Sequence, residues 1–433
     1  MAYFRSNEES VDRATLERLQ RVKLGGMLEA VLGGNGFYRG KLGGVRFEAA
    51  SDPLTVLPLT TRSEIQQDQI ESPPYGTNLT YPLEKYTRIH QTSGSTGVPL
   101  RWLDTAESWD WFCECWCVIL RAAEVTEADR VFFPFSFGPF IGFWSAFDAA
   151  ARLGALAVSG GGMTTGARLR AIEDHGITVL CCTPTYALHL AHEAEAGGVD
   201  LRGSSVGKLI VAGEPGGSIP ATRGRIESAW GARVYDHAGM TEMGPWGFEC
   251  TESPGWMHVL ESEFIAEVID PRSGDPVGEG EAGELVLTNL GRWAMPLIRY
   301  RTGDRVVLRR DRPMAGRSFA FLEGGVAGRV DDMLFIRGNN VFPSAIEGIV
   351  RGFAEVEEFR LRVGCEQELA GLSIDVEVSV GTDGSALAGR IASAVRDGLH
   401  FRPEVQVVPP GTLPRSEMKS RRLVTVESVG RSS

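Results

Sequence analysis

The stretch Ile177 to Asp236 reads ITVLCCTPTYALHLAHEAEAGGVDLRGSSVGKLIVAGEPGGSIPATRGRIESAWGARVYD. Three short apolar or β-branched runs, Ile177–Cys182, Lys208–Ala212 and Ala232–Asp236, alternate in it with helical stretches at Thr185–Ala196 and Ser218–Trp230. Strands joined through helices pair in parallel, with the helices on the sheet faces. The same rhythm extends backward, with strands expected at Thr87–Gln91, Val131–Phe135 and Ala155–Val158. Helices are expected at Thr105–Ala123, Ile141–Leu153 and Thr165–His175. The fold class is therefore α/β. Ahead of this core lie an amphipathic helix over residues 11–33 and a short one, Thr61–Ile70, with Ser63 near its start.

After Glu249 the pattern changes to strands joined by turns: Phe264–Asp270, Gly283–Thr288, Asp304–Arg309 and Ser318–Leu322. An antiparallel β region beside the α/β core is expected. The last hundred residues read as a compact mixed unit: a strand near Leu334, helix Pro343–Gly352, strands Val356–Val363 and Leu372–Val380, helix Ser385–Asp397 and strand Val405–Val408. The expectation is a large N-terminal α/β domain, residues 1–330, and a small mobile α+β C-terminal domain, residues 331–433.

Composition narrows the function. The 433 residues hold 44 Lys+Arg against 56 Asp+Glu, a net charge of −12, so general nucleic-acid binding through basic side chains is not expected. The 43% hydrophobic content suits sizeable cores, and 53 glycines, about 12% against a usual ~7%, predict many tight loops. The N-terminal MAYFRSNEES lacks an apolar segment, so no secretory signal is expected. Val131 to Phe147, the longest stretch free of charge and histidine, is broken by Pro134, Gly138, Pro139 and Gly142, so no membrane span is expected. Seven scattered cysteines read as reduced thiols of a cytoplasmic protein.

Several segments carry chemistry. QTSGSTGVPL, Gln91 to Leu100, follows a strand with six small or hydroxylated residues, a loop whose N–H and hydroxyl groups can wrap a polyphosphate. No lysine stands where a Walker loop has one. YDHAGMTEMGPWGFEC, Tyr235 to Cys250, follows a central strand, where open α/β sheets place ligands. There Thr241 offers a hydroxyl to a phosphate and Glu242 a hard oxygen to Mg²⁺. In YRTGDRV, Asp304 follows a glycine turn and can accept two ribose hydroxyls; PRSEMKSRR carries Lys419 among Arg415, Arg421 and Arg422. Taken singly, each has a bland reading as linker, turn or solvated tail.

Together, in this order, they resemble the adenylate-forming superfamily of acyl-CoA synthetases and adenylation domains, in its phenylacetate-CoA ligase-like branch. The resemblance is carried by SGSTG at Ser93–Gly97, TVLCCTPTYALHLAH at Thr178–His192, AGEP at Ala212–Pro215 and GFEC at Gly247–Cys250. It continues in PLIRYRTGD at Pro296–Asp304, GRVDDMLFIRG at Gly328–Gly338, NVFPSAIE at Asn340–Glu347 and LPRSE at Leu413–Glu417. It implies that an acid and Mg·ATP give an acyl adenylate and pyrophosphate, and that the acyl group then passes to CoA. By the same resemblance Ser93, Gly94, Ser95, Thr96 and Gly97 hold the β and γ phosphates. Gly213, Glu214 and Pro215, with Tyr235, Asp236 and His237, frame the adenine. Thr241 touches the α phosphate, Glu242 ligates Mg²⁺, and Asp304 binds the ribose with Arg329 close by. Lys419 is the implied catalytic lysine, and Asp331 the implied hinge of the small lid domain.

The chain departs from the pattern in two places. Zinc-bearing relatives use a Cys and a His here, met by Cys250 and His258, and a later cysteine pair; DRPMAGR, Asp311 to Arg317, has none, so a structural zinc is not expected. Met418 stands before the lysine where the family commonly has glycine. Cys113, Cys115 and Cys117 share a helix with Trp109, Trp111 and Trp116 and read as buried small hydrophobes.

The aromatic run Phe132, Phe133, Phe135, Phe137, Phe140, Phe143 and Trp144 lies where the family builds its carboxylate pocket. Most of these rings belong to ordinary core. Phe135 and Phe140 are assigned to the pocket wall, opposite the small residues Gly160, Gly161, Ala212, Ala238 and Gly239. An aromatic wall facing small residues suits a flat ring, so an aryl or arylacetic acid is expected, with His237 accepting a hydroxyl or amino substituent. An alternative acceptor is a carrier-protein thiol, an amine or a second aromatic acid, as in relatives of secondary metabolism. Relatives of this branch also suggest a homodimer.

Overall fold

The computed structural model describes residues 3–92, 99–311, 316–330, 332–336, 339–366, 369–379, 381–414 and 422–425. Strands Leu156–Ser159, Arg130–Phe133, Val179–Cys182, Lys208–Ala212 and Arg233–Met240 lie side by side in that spatial order, each pair parallel. Val179–Cys182 is buried throughout, which is why its sequence is an unbroken apolar run. Its successor helix, Pro184–Ala196, starts sharply because Thr183 accepts from Tyr186 N and Pro184 occupies the first turn.

Beyond Arg233–Met240 the sheet turns antiparallel through Gly244–Phe248 and Trp256–Val259, then runs on to Phe321–Glu323, Tyr300–Arg309, Ala282–Asn289 and Phe264–Ile269. One sheet of twelve described strands results, parallel at one end and antiparallel at the other. The N-terminal helix Arg13–Gly34 packs Leu24, Met27 and Val31 into a satellite core with Leu57, Leu290 and Ile298. A separate four-stranded sheet, with helices Pro343–Arg351 and Gly384–Leu399, encloses its own core of Ile336, Val350, Phe359, Ile374 and Ile391. Among the described residues no helix is long and apolar enough to cross a membrane.

Local boundaries depart from the sequence reading for identifiable reasons. The short N-terminal helix, expected over Thr61–Ile70, is Arg62–Glu71, with Thr61 as its cap because Thr61 and Glu64 form a reciprocal capping box. The helix expected from Ile141 begins at Trp144, after Gly142 takes φ +39°. The helix expected from Ser218 begins at Pro220, whose ring suits the first helical turn. The strand expected at Ser318–Leu322 is Phe321–Glu323. Asp304 lies inside strand Tyr300–Arg309 rather than after a turn: Gly303, at φ +75°, forms an irregularity against Glu284–Val286.

Candidate active site

The C-terminal end of strand Arg233–Met240 brings Tyr235, Asp236 and His237 next to the AGEP segment, since Ala212 and His237 are register partners in adjacent parallel strands. Alternation along the strand sends Asp236 to one face and Tyr235 and His237 to the other. Ser218 Oγ donates to Asp236 Oδ2, and Asp236 N donates to Glu249 Oε2 at 2.8 Å. Arg223 pairs with Glu249 and donates to Gly217 O at 2.7 Å and Val234 O at 2.8 Å. Burial raises the Asp236 carboxyl to about 7, with Glu249 adding to the rise and Ser218 opposing it. Tyr235 is buried, its hydroxyl 3.0 Å from Thr251 Oγ1. Gly213 takes φ +95° as the chain leaves the strand, and Glu214 accepts from Thr185 N at 2.8 Å.

His237 is buried, with its Nδ1 2.7 Å from Gly247 O. A carbonyl only accepts, and burial lowers the imidazole to about 4, so at neutral pH Nδ1 carries the proton and Nε2 offers a lone pair. Nε2 faces Gly239: a Cβ there would lie 3.1 Å from it. The ring of Trp116 packs on His237 at 4.2 Å between centroids, and Phe143 follows at 6.0 Å from Trp116 and 5.7 Å from Phe135. A chain of ring contacts therefore runs from His237 through the buried Trp116 and Phe143 to the half-buried Phe135. Ala238 pairs with Gly247 across the hairpin. Gly160 is pressed against the start of the aromatic run, where a Cβ would come within 2.8 Å of Phe132 and 2.9 Å of Pro134 Cα. Gly161 sits against Phe135 O and Phe137, each 3.4 Å from the position of a Cβ. Phe140 is half-buried beside Gly138.

Thr241 and Glu242 form the turn between strands Arg233–Met240 and Gly244–Phe248. The Glu242 carboxylate, 12% exposed, lies 3.7 Å from Arg62 Nη1 and accepts from Tyr300 OH at 3.3 Å. Arg62 Nη2 also reaches Thr92 Oγ1 at 3.4 Å. Thr92 N donates to Leu100 O at 3.0 Å and its hydroxyl accepts from Leu100 N at 3.0 Å, so Arg62 links the base of the glycine-serine loop to Glu242. On the strand that carries Tyr300, Asp304 pairs in register with Arg329, whose Nη1 lies 3.7 Å from Asp304 Oδ1. Ser93–Gly97, Asp331 and Lys419 lie outside the described residues.

The structure thus sets AGEP beside Tyr235–His237 in adjacent parallel strands and links Glu242, through Tyr300, to the strand that carries Asp304. It also brings to the site residues not assigned to it from the sequence: Trp116, Arg62, Ser218 and Arg223. Trp116 had a signal in the Trp-rich helix Ala106–Ala122, but periodicity does not say which ring meets His237. Cys113, Cys115 and Cys117 are all buried, because that helix is covered on most faces, and burial pushes each thiol up.

No cluster of three or more ligating side chains occurs among the described residues. Magnesium is commonly held by one or two carboxylates together with nucleotide phosphates and water, so the single carboxylate of Glu242 fits an ion delivered with a nucleotide. At the other candidate metal position, Cys250 Sγ and His258 Nε2 both meet Ser253 Oγ, at 2.9 and 3.3 Å. Burial and then the Arg317 charge lower His258 to about 3.

Comparison with known proteins matches residues 68–294 to the AMP-binding enzyme family and residues 338–425 to the AMP-binding enzyme C-terminal domain. The chain is similar to phenylacetate-coenzyme A ligase of Thermus thermophilus, 31% identical over 94% of this chain and 96% of that one. Among solved structures it is similar to 2-hydroxyisobutyryl-CoA ligase in the postadenylation state with 2-HIB-AMP, at TM-score 0.89 and 27% identity, covering 97% of this chain and 91% of that one. The same ligase with 2-HIB-AMP and CoA in the thioesterification state gives TM-score 0.73 at 27% identity, covering 98% and 93%.

Proposed function

The chain belongs to the AMP-binding enzyme family, in its phenylacetate-coenzyme A ligase-like branch, and from that premise we propose that it activates an aromatic carboxylic acid and converts it to the CoA thioester. Acid activation with ATP and thioester formation with CoA are the reaction of an AMP-forming acid–CoA ligase. In the first half, the substrate carboxylate attacks the α phosphorus, the bond to the bridging oxygen of pyrophosphate breaks, and pyrophosphate leaves. In the second, the CoA sulfur attacks the acyl carbon, AMP leaves with the bonding pair, and the thiol proton is released.

In this reading Ser93–Gly97 hold the β and γ phosphates, Thr241 meets the α phosphate, and Asp304 with Arg329 takes the ribose. Gly213, Glu214, Pro215, Tyr235 and Asp236 frame the adenine. Glu242 holds the magnesium of Mg·ATP, which neutralises phosphate charge when bound. Lys419 places a cation where charge develops between the carboxylate and the α phosphate. Asp331 is the hinge between residues 1–330 and 331–433. The higher likeness to a postadenylation arrangement than to a thioesterification one supports assigning the described arrangement to the adenylating half of the cycle.

The observation that carries the aromatic assignment is the wall of Trp116, Phe143 and Phe135 beside His237. Flat rings stack on such a wall. The Nε2 lone pair of His237 suits a substituent that donates, so a hydroxy- or amino-substituted aryl acid is preferred over its unsubstituted parent. The test is pyrophosphate release with Mg·ATP and CoA across benzoic, arylacetic and short aliphatic acids with and without such substituents. Aliphatic acids turning over faster than every aryl acid would remove the assignment.

A further inference from the structure

Arg292 joins four hydrogen bonds in a site closed to water. Its Nε and Nη2 each meet an oxygen of Asp104 at 2.8 Å, and both side chains are fully buried. Its Nη1 donates to Thr241 O at 2.8 Å and to Glu242 O at 2.9 Å. Asn289, three residues earlier, donates to the next carbonyl, Met243 O, at 3.4 Å. Three successive carbonyls of the turn are therefore held by the end of strand Ala282–Asn289 and the loop after it. The rings of Phe112 and Trp102 lie 4.8 and 5.3 Å from the guanidinium carbon.

A buried ion pair is often no more stabilising than an apolar pair of similar volume, because desolvation offsets much of its attraction. Joining Asp104 to Arg292 would not by itself need charge. Binding two backbone carbonyls does need donors, and only a planar guanidinium can serve a bidentate carboxylate and two carbonyls together. The turn so fixed carries the Glu242 carboxylate beside Arg62 and Tyr300.

We propose that Arg292, clamped by Asp104, is a positioning residue for adenylate formation, fixing the Thr241–Glu242 turn so that its hydroxyl and carboxylate are preorganised for the α phosphate and magnesium. This rests on the roles given to Thr241 and Glu242 above. The experiment measures pyrophosphate release by the full-length protein at varied Mg²⁺, with thermal melting as the folding control. The variants are Arg292→Lys, the double variant Asp104→Leu with Arg292→Met, and Glu242→Gln. Arg292→Lys keeps the charge and supplies the answer should the double variant not fold.

The expected result is a folded protein with kcat lowered about tenfold or more and half-saturating Mg²⁺ raised about fivefold or more, while KM for the acid moves less than about twofold. A folded variant with wild-type kcat and Mg²⁺ dependence overturns the positioning role. Glu242→Gln separates the two layers of the argument. If it raises half-saturating Mg²⁺ and the Arg292 variants do not, the positioning role alone is wrong; if it leaves Mg²⁺ dependence unmoved, the assignment of the turn fails and the proposal falls with it.

Discussion

Arg422 Nη2 donates to Thr185 Oγ1 at 3.1 Å, tying the C-terminal strand Leu423–Thr425 to the first turn of helix Pro184–Ala196. The backbone N–H of the same threonine donates to Glu214, in the segment assigned to adenine. Arg422 is held on its own side by Glu358, 2.9 Å from Nε, and by Glu347, 3.4 Å from Nη1. Burial pushes the Glu358 carboxyl up, but the Arg351 and Arg422 charges outweigh it and bring it down to about 2. Residue 422 stands three beyond Lys419 in sequence, and under the proposed roles of Lys419 and Glu214 this contact bears on the adenylating half-reaction.

Removing that contact should therefore separate the two half-reactions. Thr185→Val is expected to slow adenylate formation about 10- to 100-fold, the worth of one hydrogen bond to a charged group, and to leave thioester formation from supplied acyl adenylate within about twofold. The check is to time each half-reaction separately. Equal slowing of both would mean that the contact is not specific to the adenylating arrangement.

Lys419→Ala should abolish pyrophosphate release, by about a hundredfold or more, while nucleotide affinity falls only modestly, because the charge acts where the reacting oxygens meet. Calorimetric ATP binding alongside steady-state rates tests this. An unchanged rate would contradict the role given to the lysine.

In the proposed reading His237 selects for the substituent. His237→Leu removes the ring nitrogen that faces Gly239 and is expected to lower kcat/KM for hydroxy- or amino-substituted aryl acids about 10- to 100-fold, with the unsubstituted parent changed less than about threefold. A uniform loss across both sets would assign His237 to general packing.

Asp236 sets a pH signature. Its carboxyl is raised in the folded state to about 7 by burial, against an ordinary value near 3.8. The native state therefore binds a proton that the unfolded chain has released across that interval, so stability from this group is full below about pH 4 and falls as pH rises to about 7. Asp236→Asn keeps the neutral form, and its melting temperature relative to wild type should rise from pH 5 to pH 8. A difference independent of pH would show that Asp236 titrates normally.

The parallel core was legible because Val131–Phe133, Val179–Cys182 and Lys208–Ala212 are almost wholly apolar, the mark of strands covered on both faces. The ligand-bearing segments were legible because they are contiguous in sequence. The strand was expected to start only at Asp304, because a glycine at positive φ looks the same in sequence whether it closes a hairpin or interrupts a strand. Arg292 and Asp104 stand 188 residues apart and Trp116 meets His237 from a helix, so those contacts exist only once the sheet is assembled.

The central claim, aryl-acid activation followed by transfer to CoA, is tested most directly by pyrophosphate release with Mg·ATP over an acid panel, each acid run with and without CoA. The account predicts release that requires an aryl acid and turns over many times only when CoA is present, with an aryl-CoA thioester as product. Multiple turnover with an aryl acid that ignores CoA would contradict it and move the acyl group to another acceptor.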